Sequence, residues 1–496
     1  MGIVVRQSIY NSIASYLGVI VGAINTIVLF PNIFSADEFG LTRVITAAAT
    51  LFSSLGLLAT QNTTIKFFPF FKNKEEQHNG FLFFILSVPL IGYLLFLVLA
   101  YGFETQLTDY YSKSSNLFGQ YFDYIPLVVL YMIYFAVFDA YLTAVLKSVI
   151  QSFLKNVIQR VMWAGLILLY YYKVLTFDEF IFYYFNSYAF ILLVLVVYTA
   201  YLKQLFIWPR FNMFSKARVK EIFIYSFFIL LGSSSAMLAG TIDSLMIGAL
   251  VDQGLAQVAF YSVALYMGVV IHIPYQSVIR IANPILADAF KHEDHHKVER
   301  IYKQSSMNLL IIGCLLFLGI WLNADNIFQM LPDEYSQAKY VLLYVCLTKL
   351  YDACTGVNGG IIQYSGLFRL MLYFNVFLIV LIIATNYWLI PIMGIEGAAL
   401  ATLISIFTTN TLRMIIIKIK MNMSPFEWRS LLVVLIGGLT YGVVYFIPPI
   451  GSFIIDAILR SLIIGGLFII PVYLLNFSSE FNGVIDKSLK VLKLKK

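Results

Sequence analysis

The sequence predicts an all-α, polytopic membrane protein of about fourteen transmembrane helices, and two observations predict this class. Hydrophobic residues make up 60% of the 496-residue chain and charged residues only 12%. A soluble domain carries roughly 45–50% apolar and about 25% charged residues, so this composition cannot supply the surface that soluble domains need. The apolar residues also come in runs of about 20, the length that a helix needs to cross a bilayer.

Each apolar run is long and continuous and does not alternate, which predicts helices and not barrel strands. The first run carries no small-residue cleavage site, so we interpret it as a retained helix and not a signal peptide. The predicted spans are, in chain order, 8–33, 40–66, 81–103, 122–147, 156–175, 179–203, 221–250, 257–288, 304–323, 337–360, 368–391, 396–420, 428–448 and 453–476. The three cysteines all lie inside such runs, which favours buried apolar positions over a disulfide framework or a metal site.

The lysines and arginines predict the orientation in the membrane. If the N-terminus is cytoplasmic, the outer segments hold only Arg43, Lys113, Lys173 and Lys339, and most other basic residues fall on the inner side. Both termini are therefore predicted to be cytoplasmic. The basic residues are scattered in short clusters, which argues against a nucleic-acid partner. The lysine-rich end of the chain, 487–496, predicts a tail attracted to anionic membrane lipids.

Internal similarity predicts the domain organisation. Three outer hairpins, beginning near Ser35, Val251 and Gly394, lead into helices with similar small-residue openings. The first two fit equivalent places in two six-helix halves, a frequent arrangement in transporters. The predicted domains are an N-terminal lobe (1–206), a C-terminal lobe (207–424), and two additional helices with the basic cytoplasmic tail (425–496).

Three short motifs carry a family resemblance. They are Phe30-Pro31 followed by Asp37-Glu38-Phe39-Gly40, then Asp243-Ser-Leu-Met-Ile-Gly248 with Tyr261, and finally Gly394-Ile-Glu-Gly-Ala-Ala-Leu-Ala-Thr402. In this order, within a fourteen-helix frame, the whole chain resembles the polysaccharide-synthesis (Wzx-type) flippases of the multidrug/oligosaccharidyl-lipid/polysaccharide exporter superfamily.

The resemblance implies two six-helix lobes around a central cavity that opens alternately to the two sides. It implies a polyprenyl-diphosphate-linked oligosaccharide as substrate, a location in the bacterial cytoplasmic (inner) membrane, and contact with membrane lipids and with other polysaccharide-assembly proteins. It implies a transporter and not an enzyme.

Charged residues inside the predicted spans are the candidate site residues, because a charge at the bilayer centre costs at least ~2.5 kcal/mol and normally faces a cavity or a partner. Arg280 is the first candidate for the diphosphate, since a guanidinium binds phosphate oxygens in pairs. Arg43 and Arg413 are further candidates, and His272 lies two turns from Arg280 on the same helix face. The alternative is that each arginine pairs with a carboxylate or reaches the interface.

The intramembrane carboxylates are candidates for coupling transport to H⁺ or Na⁺. Asp243 has no evident partner on its own helix, so it is the first candidate. Two further sets, Lys349 with Asp352 and Asp139 with Arg160, could form either static pairs or ion-coupling elements. No phosphate-binding loop is present, so we expect no nucleotide, no other cofactor and no metal.

Other functions remain open. Likeness to a peptidoglycan-precursor flippase would predict several arginines in the first helix, and none lies between Ser8 and Ile33. A multidrug exporter of the same superfamily usually has twelve helices. A membrane-embedded glycan polymerase or acyltransferase typically has a sizeable outer loop, whereas the loops here are short. A membrane scaffold would not need to retain buried charges.

Overall fold

The fold is described by a computed structural model that covers residues 3–491 apart from 74, 113–116 and 211–214. The described residues form helices and no strand, which confirms the predicted all-α class. The chain divides into two compact units, Met1–Ser262 and Val263–Lys496. The division into lobes at residue 206, which rests on internal similarity, stays a prediction. The last five residues of the basic tail, 492–496, lie outside the described residues.

The first unit contains twelve complete helices and the start of a thirteenth, among the residues described. These are α1 (Ile3–Ala23), α2 (Phe30–Ile33), α3 (Ala36–Gly56), α4 (Thr60–Phe71), α5 (Phe81–Gly102), α6 (Glu104–Ser112), α7 (Leu117–Gln120), α8 (Tyr124–Ala144), α9 (Val149–Phe153), α10 (Gln159–Tyr171), α11 (Phe177–Tyr201), α12 (Lys216–Leu250) and α13 (Gly254–Lys291). The boundary between the two units falls within α13.

The second unit continues with eight more helices. They are α14 (His295–Trp321), α15 (Ala324–Phe328), α16 (Lys339–Cys354), α17 (Asn358–Tyr364), α18 (Phe368–Met421), α19 (Trp428–Tyr445), α20 (Phe453–Leu474) and α21 (Ser479–Val491). An apolar core joins α14 to α19 and α20, with Ile311, Val433 and Phe468 fully buried in it. Cys314, Cys346 and Cys354 are buried free thiols, as their apolar surroundings predicted.

Eleven helices in the described part of the chain are long and apolar enough to cross a membrane. The predicted count of fourteen stays a prediction, and the difference arises at three places. The predicted spans 368–391 and 396–420 both lie in α18, which consists of two helices joined by a sharp turn at Gly394, where φ is 57°. The hydroxyl groups of Thr385 and Ser405, on either side of this turn, lie 3.2 Å apart, so the two halves of α18 pack side by side. In addition, α16 has 16 residues, and the described apolar helix within α12 is the short segment Thr241–Leu250.

Local sequence sets several helix starts. Ser35 and Thr176 begin α3 and α11 with capping boxes, in which the hydroxyl accepts from the amide of Glu38 or Glu179 and the glutamate accepts from the cap residue. Such a box satisfies two backbone donors that would otherwise be unpaired. Each of these helices therefore begins at a residue that the sequence specifies.

The second predicted span, 40–66, is broken between α3 and α4. Leu58 and Ala59 both have left-handed backbone conformations, with φ of 47° and 60°. This conformation costs an L-residue about 1–2 kcal/mol, because Cβ crowds the following carbonyl. The break therefore stores strain where the two helices meet, a feature that often accompanies functional sites.

Two π-helical segments interrupt the regular helices of the first unit. One, Ile24–Leu29, joins α1 to α2, and the other, Leu154–Ile158, joins α9 to α10. The helices that carry them pack closely, because a Cβ on Gly18 of α1 would lie 2.5 Å from the carbonyl oxygen of Asn156. Such π segments occur frequently at functional sites, because they turn side chains away from the regular helical positions.

Candidate functional site

A cavity of about 380 Å³ lies inside the first unit. Its volume falls in the range of roughly 300–1,000 Å³ that is typical of ligand pockets. The walls come mainly from α3, α8, α10 and the π segment before α10. The polar residues of the lining are Thr46, Thr50, Ser53, Ser54, Gln61, Asn62, Asp139, Lys155, Asn156, Gln159 and Arg160.

The hydroxyl groups of α3 form one wall of the cavity. Thr46, Thr50 and Ser53 follow each other at spacings of four and three residues, which places them on one helix face. The hydroxyls of Thr46 and Thr50 each donate to a carbonyl oxygen one turn earlier, at 2.7 Å. Their oxygens can still accept hydrogen bonds from a ligand.

The interrupted helix α9–α10 forms the most polar wall. Lys155 and Asn156 belong to its π segment, and Gln159 and Arg160 to the first turn of α10. Gln159 is only 3% exposed, and within the described residues its Nε2 has no hydrogen-bond partner. A buried donor without an acceptor is costly, so a ligand oxygen in the cavity would be stabilised there.

Asp139 of α8 supplies the carboxylate of the cavity. The suggested pair between Asp139 and Arg160 does not form, since no ion pair within 4 Å joins them in the part of the chain described. Arg160 instead donates to the carbonyl of Gly18, and Asn25 donates to the carbonyl of Arg160 at 2.8 Å. The basic side chain that acts on Asp139 electrostatically is Lys155. The cavity therefore holds one carboxylate and two cations.

Arg43 lies near this cavity but is not among its lining residues. Its guanidinium donates to Thr26 at 3.0 Å, and its Cζ lies 4.8 Å and 5.4 Å from the ring centroids of Phe39 and Phe30. Cation–π contacts of this length stabilise a buried guanidinium. The role of Arg43 in substrate binding stays a prediction.

Asp243 is completely buried in the first unit. The next helix supplies a partner, because the hydroxyl of Tyr261 donates to its Oδ2 at 2.7 Å. Both residues belong to a motif on which the family resemblance rests. This hydrogen bond satisfies one oxygen of the buried carboxylate, as buried polar groups require.

A second polar cluster lies entirely in the second unit and joins three of the predicted residues. Asp352 accepts from His272 at 3.1 Å and from Asn410 at 2.8 Å. Arg413 donates to Asn410 at 3.2 Å and to Asn375 at 3.1 Å. Asn410 therefore links the carboxylate of Asp352, on α16, to the guanidinium of Arg413, which lies about one turn further along α18.

Two other predicted residues lie outside these bonds. The suggested local pair of Lys349 with Asp352 is not formed, because the carboxylate of Asp352 is turned to His272 and Asn410, and the described residues include no ion pair within 4 Å between the two. Arg280 is exposed on α13, two turns beyond His272. Its role in binding the diphosphate stays a prediction.

Several cavity residues were missed from the sequence, including Thr46, Thr50, Lys155, Asn156 and Gln159. The signal that could have found them is a polar stripe at helical spacing within an apolar span. The predicted site residues are charges inside the predicted spans, whereas Thr46, Thr50, Asn156 and Gln159 are uncharged and Lys155 lies just before the span 156–175.

A family model for polysaccharide biosynthesis proteins matches residues 4–290, which is more than half of the 496-residue chain. The chain belongs to this family. The match includes every residue that lines the cavity of the first unit. A second family model, MatE, matches residues 221–388 of the chain. No curated protein sequence is significantly similar to it.

Solved structures show the same fold in transporters. The lipid II flippase MurJ in an inward closed conformation is similar with a TM-score of 0.71 at 13% identity, over 93% of this chain and 98% of that chain. An inward-facing multidrug resistance MATE family transporter of the MOP superfamily is similar with a TM-score of 0.64 at 14% identity, over 84% of this chain and 94% of that chain.

At such identities the likeness to solved structures concerns the fold. Family and fold together confirm the predicted resemblance and support a flippase or exporter of the MOP superfamily. They are the family and fold of transporters, which are not enzymes. The family implies a lipid-linked substrate and a multi-pass location in a membrane.

Proposed function

We propose that this protein moves a polyprenyl-diphosphate-linked oligosaccharide across the bacterial cytoplasmic membrane by alternating access. The observation that carries the proposal is the cavity of the first unit, which holds Lys155, Arg160 and Asp139 among hydroxyl and amide groups. Two cations suit a diphosphate, because charge-assisted hydrogen bonds to phosphate oxygens are strong. The hydroxyls and amides suit sugar hydroxyl groups, which both donate and accept.

Transport is coupled, in this proposal, to an H⁺ or Na⁺ gradient. Ionisable residues inside a membrane commonly mark ion and proton pathways. Asp139 is the carboxylate in the cavity and is thus placed to exchange a cation as substrate enters or leaves. Asp243 and Asp352 are further candidates, although each already accepts hydrogen bonds from neighbouring side chains.

The orientation follows from the basic residues, with both termini in the cytoplasm. In that orientation Asp139, Lys155 and Arg160 lie in the inner halves of their helices. The cavity is then placed to receive a substrate assembled on the inner leaflet. Other polysaccharide-assembly proteins would supply that substrate and use the product on the outer side.

Deletion of the gene tests the function directly. We expect lipid-linked glycan to accumulate on the inner leaflet, and the wild-type gene to restore export. Arg160→Gln, Asp139→Asn and Arg280→Ala should each fail to restore export while the protein stays in the membrane at normal amounts. Lys173→Gln, at an exposed position outside the cavity, is the matched control and should restore export fully.

Full export with both Arg160→Gln and Asp139→Asn would show that the cavity does not take part in transport. Full export with Arg280→Ala would show only that Arg280 does not bind the substrate. Transport that is insensitive to both pH and Na⁺ gradients would rule out the coupling.

A peptidoglycan-precursor flippase is the second candidate, because the fold resembles that of MurJ over 93% of this chain. The first helix counts against it, since no arginine lies between Ser8 and Ile33. Under our proposal the deletion strain accumulates lipid-linked glycan and keeps a normal level of peptidoglycan precursor. Accumulation of the peptidoglycan precursor instead would favour the second candidate.

A further inference from the structure

The segment that joins α11 to α12, in the first unit, carries a dense group of basic residues. Between positions 203 and 221 the sequence has five basic residues and one acidic residue, Glu221. The basic residues are Lys203, Arg210, Lys216, Arg218 and Lys220. Among the residues that the structure describes, none of the five has a carboxylate within 4 Å. Their charges are therefore available to an anion from outside the chain.

Surface lysines of the second unit are arranged differently. Lys297 lies 3.4 Å from Asp288. Lys303 lies 2.9 Å from Glu299, one turn earlier on the same helix. The charge of each lysine is thus already balanced by a carboxylate of the chain. The unbalanced charge before α12 is therefore a local property of that segment.

The segment is held in place at its start. Oε1 of Gln204 lies 2.8 Å from Nε2 of the buried His78, in the turn before α5. The backbone carbonyl of Gln204 accepts from the hydroxyl of Tyr141 at 3.0 Å. Phe206 packs on the same histidine, with the two ring centroids 5.3 Å apart. The side chains of Gln204 and Phe206 are thus directed into the unit.

The following residues turn outward. Ile207 is 49% exposed and Trp208 is 71% exposed. The backbone beneath them is close to the turn before α5, because a Cβ on Gly80 would lie 2.5 Å from the nitrogen of Arg210. The segment therefore presents a tryptophan and an arginine at its outer surface while its backbone is packed against the unit.

The segment and the start of α12 meet at the end of α4. Cζ of Arg218 lies 5.7 Å from the ring centroid of Phe71. The side chain of Asn79, next to Gly80, donates to the carbonyl of Phe71 at 3.1 Å. The basic residues of the segment and those of α12 are thus parts of one continuous region of the first unit.

The exposed face of α12 changes from basic to apolar along the helix. Lys216, Lys220, Phe223 and Phe227 follow each other at spacings of four, three and four residues, which places them on one face. All four are exposed. At a rise of 1.5 Å per residue, Phe227 lies about 10 Å beyond Lys220. The headgroup region of a bilayer is thinner than this, so a lysine at headgroup depth places the phenylalanine beside acyl chains.

We infer that this region binds the headgroup of an anionic phospholipid. We call it the linker surface, and it consists of Lys203, Trp208, Arg210, Lys216 and Lys220. Lysine and arginine next to a bilayer attract anionic headgroups, and tryptophan is enriched at the membrane–water interface. The acyl chains of the lipid lie along the apolar part of α12. A protein or nucleic-acid partner would not explain why the same helix face becomes apolar at acyl depth.

Binding of two lipids to the purified full-length protein, measured by native mass spectrometry, tests the inference. The lipids are phosphatidylglycerol and phosphatidylcholine with the same acyl chains, so that they differ only in the headgroup. Choline carries a positive charge that cancels the phosphate, whereas glycerol does not. We expect phosphatidylglycerol to bind at least about tenfold more tightly, because each basic residue near an anionic headgroup adds about fivefold.

The double variant Lys216→Gln, Lys220→Gln should lower the affinity for phosphatidylglycerol at least about tenfold and leave that for phosphatidylcholine unchanged. The matched control is Lys297→Gln with Lys303→Gln, which removes the same charge from lysines that already have carboxylate partners. Its affinity should stay within about twofold of the wild-type value. If the first double variant impairs folding, Arg210→Gln alone provides the test, with an expected loss of about fivefold.

Tryptophan fluorescence gives a second measurement on the protein in nanodiscs. Brominated phosphatidylglycerol should quench the wild-type protein more strongly than brominated phosphatidylcholine at the same mole fraction. Trp208→Phe should remove most of this difference. Trp388→Phe is the control and should keep it, because Trp388 is also exposed, at 68%, but no basic residue lies between positions 370 and 412.

Equal affinity for the two lipids, or equal losses in the two double variants, would overturn the inference. An unchanged quenching difference in Trp208→Phe would overturn it as well. Displacement of the lipid by millimolar inorganic phosphate would indicate a site for free phosphate and would overturn the assignment to lipid. None of these results bears on the export assay, because the residues of the linker surface do not line the cavity.

Discussion

At the scale of single residues, neutral polar side chains form hydrogen bonds to the charged groups of the polar cluster in the second unit. Asn410 donates to Asp352 and accepts from Arg413, so one amide satisfies two ionised groups. His272 of α13 and Asn375, in the half of α18 before Gly394, complete the arrangement. A charge buried without such partners would be strongly destabilising, so the amides are as important as the charges.

Asn410→Leu should therefore reduce stability severely. The substitution keeps the size of the side chain but leaves a carboxylate and a guanidinium each short of one hydrogen bond. We expect a loss of about 3 kcal/mol, because hydrogen bonds to charged groups are the costly ones to remove. Thermal unfolding of the purified protein in detergent measures this. Ile415→Leu, at an exposed position on the same helix, is the control and should change stability little.

A normal melting temperature for Asn410→Leu would show that the cluster is solvated or rearranged in the protein. Asn410→Asp provides a further comparison. It places a second carboxylate beside Asp352, so its stability should fall as the pH rises and both groups ionise.

At the scale of elements, glycines permit close packing of helices within the first unit. A Cβ on Gly40 of α3 would lie 1.7 Å from the carbonyl oxygen of Leu255 on α13. Backbone atoms cannot move aside as a flexible side chain can. Small residues at helix contacts are the general device by which membrane helices approach each other.

Gly40→Ala should consequently lower the amount of folded protein in the membrane by a large factor. The control is Gly165→Ala on α10, where a Cβ would meet nothing within 4 Å. That variant should be neutral or stabilised by up to about 1 kcal/mol, because alanine favours a helix more than glycine does. Quantitative immunoblots of membranes and size-exclusion profiles compare the two. Equal amounts of both variants would show that α3 and α13 do not approach this closely.

The break between α3 and α4 supplies another prediction at this scale. Ala59→Gly should raise stability by roughly 1 kcal/mol, since glycine adopts the left-handed conformation without the steric cost. Ala48→Gly, in the regular part of α3, should lower stability by a similar amount. The difference in melting temperature between the two variants is the measurement. Equal destabilisation by both would mean that Ala59 is not in the left-handed conformation.

At the scale of the whole molecule, the bilayer explains why fold class could be predicted. Each span needs an apolar run that satisfies its own backbone hydrogen bonds, so the requirement is local and visible in the sequence. The all-α class and the position of most spans follow from it, whereas the family was predicted from the three motifs that carry the resemblance. Within α18, two of the predicted spans follow each other across the sharp turn at Gly394.

The predicted orientation can be measured with single cysteines. Asp252→Cys, in the exposed loop between α12 and α13, should react with a membrane-impermeant maleimide added to intact spheroplasts. Glu75→Cys, in the exposed loop before α5, should react only after the membrane is opened. The three native cysteines are buried and should contribute little labelling. The reverse pattern would place both termini outside.

The candidate site was only partly predictable. The intramembrane charges Asp139, Arg160, His272, Asp352 and Arg413 were identified from the sequence, and the structure places each of them in the cavity or in the polar cluster. Their partners were assigned incorrectly where proximity along the chain was used as the guide. Asp352 contacts His272, 80 residues away, and not Lys349, which is three residues away.

The sequence by itself determined that this chain folds as membrane helices and roughly where they lie, because lipid as a solvent imposes those features residue by residue. The family was predicted from a different observation, the resemblance carried by three motifs. Only the tertiary structure decided which polar groups share a space. Lipid is as apolar as the helices, so no hydrophobic stripe sets the rotation of one helix against the next. Packing at positions such as Gly18 and Gly40 sets it instead, and this brings Asp139 and Lys155 into one cavity.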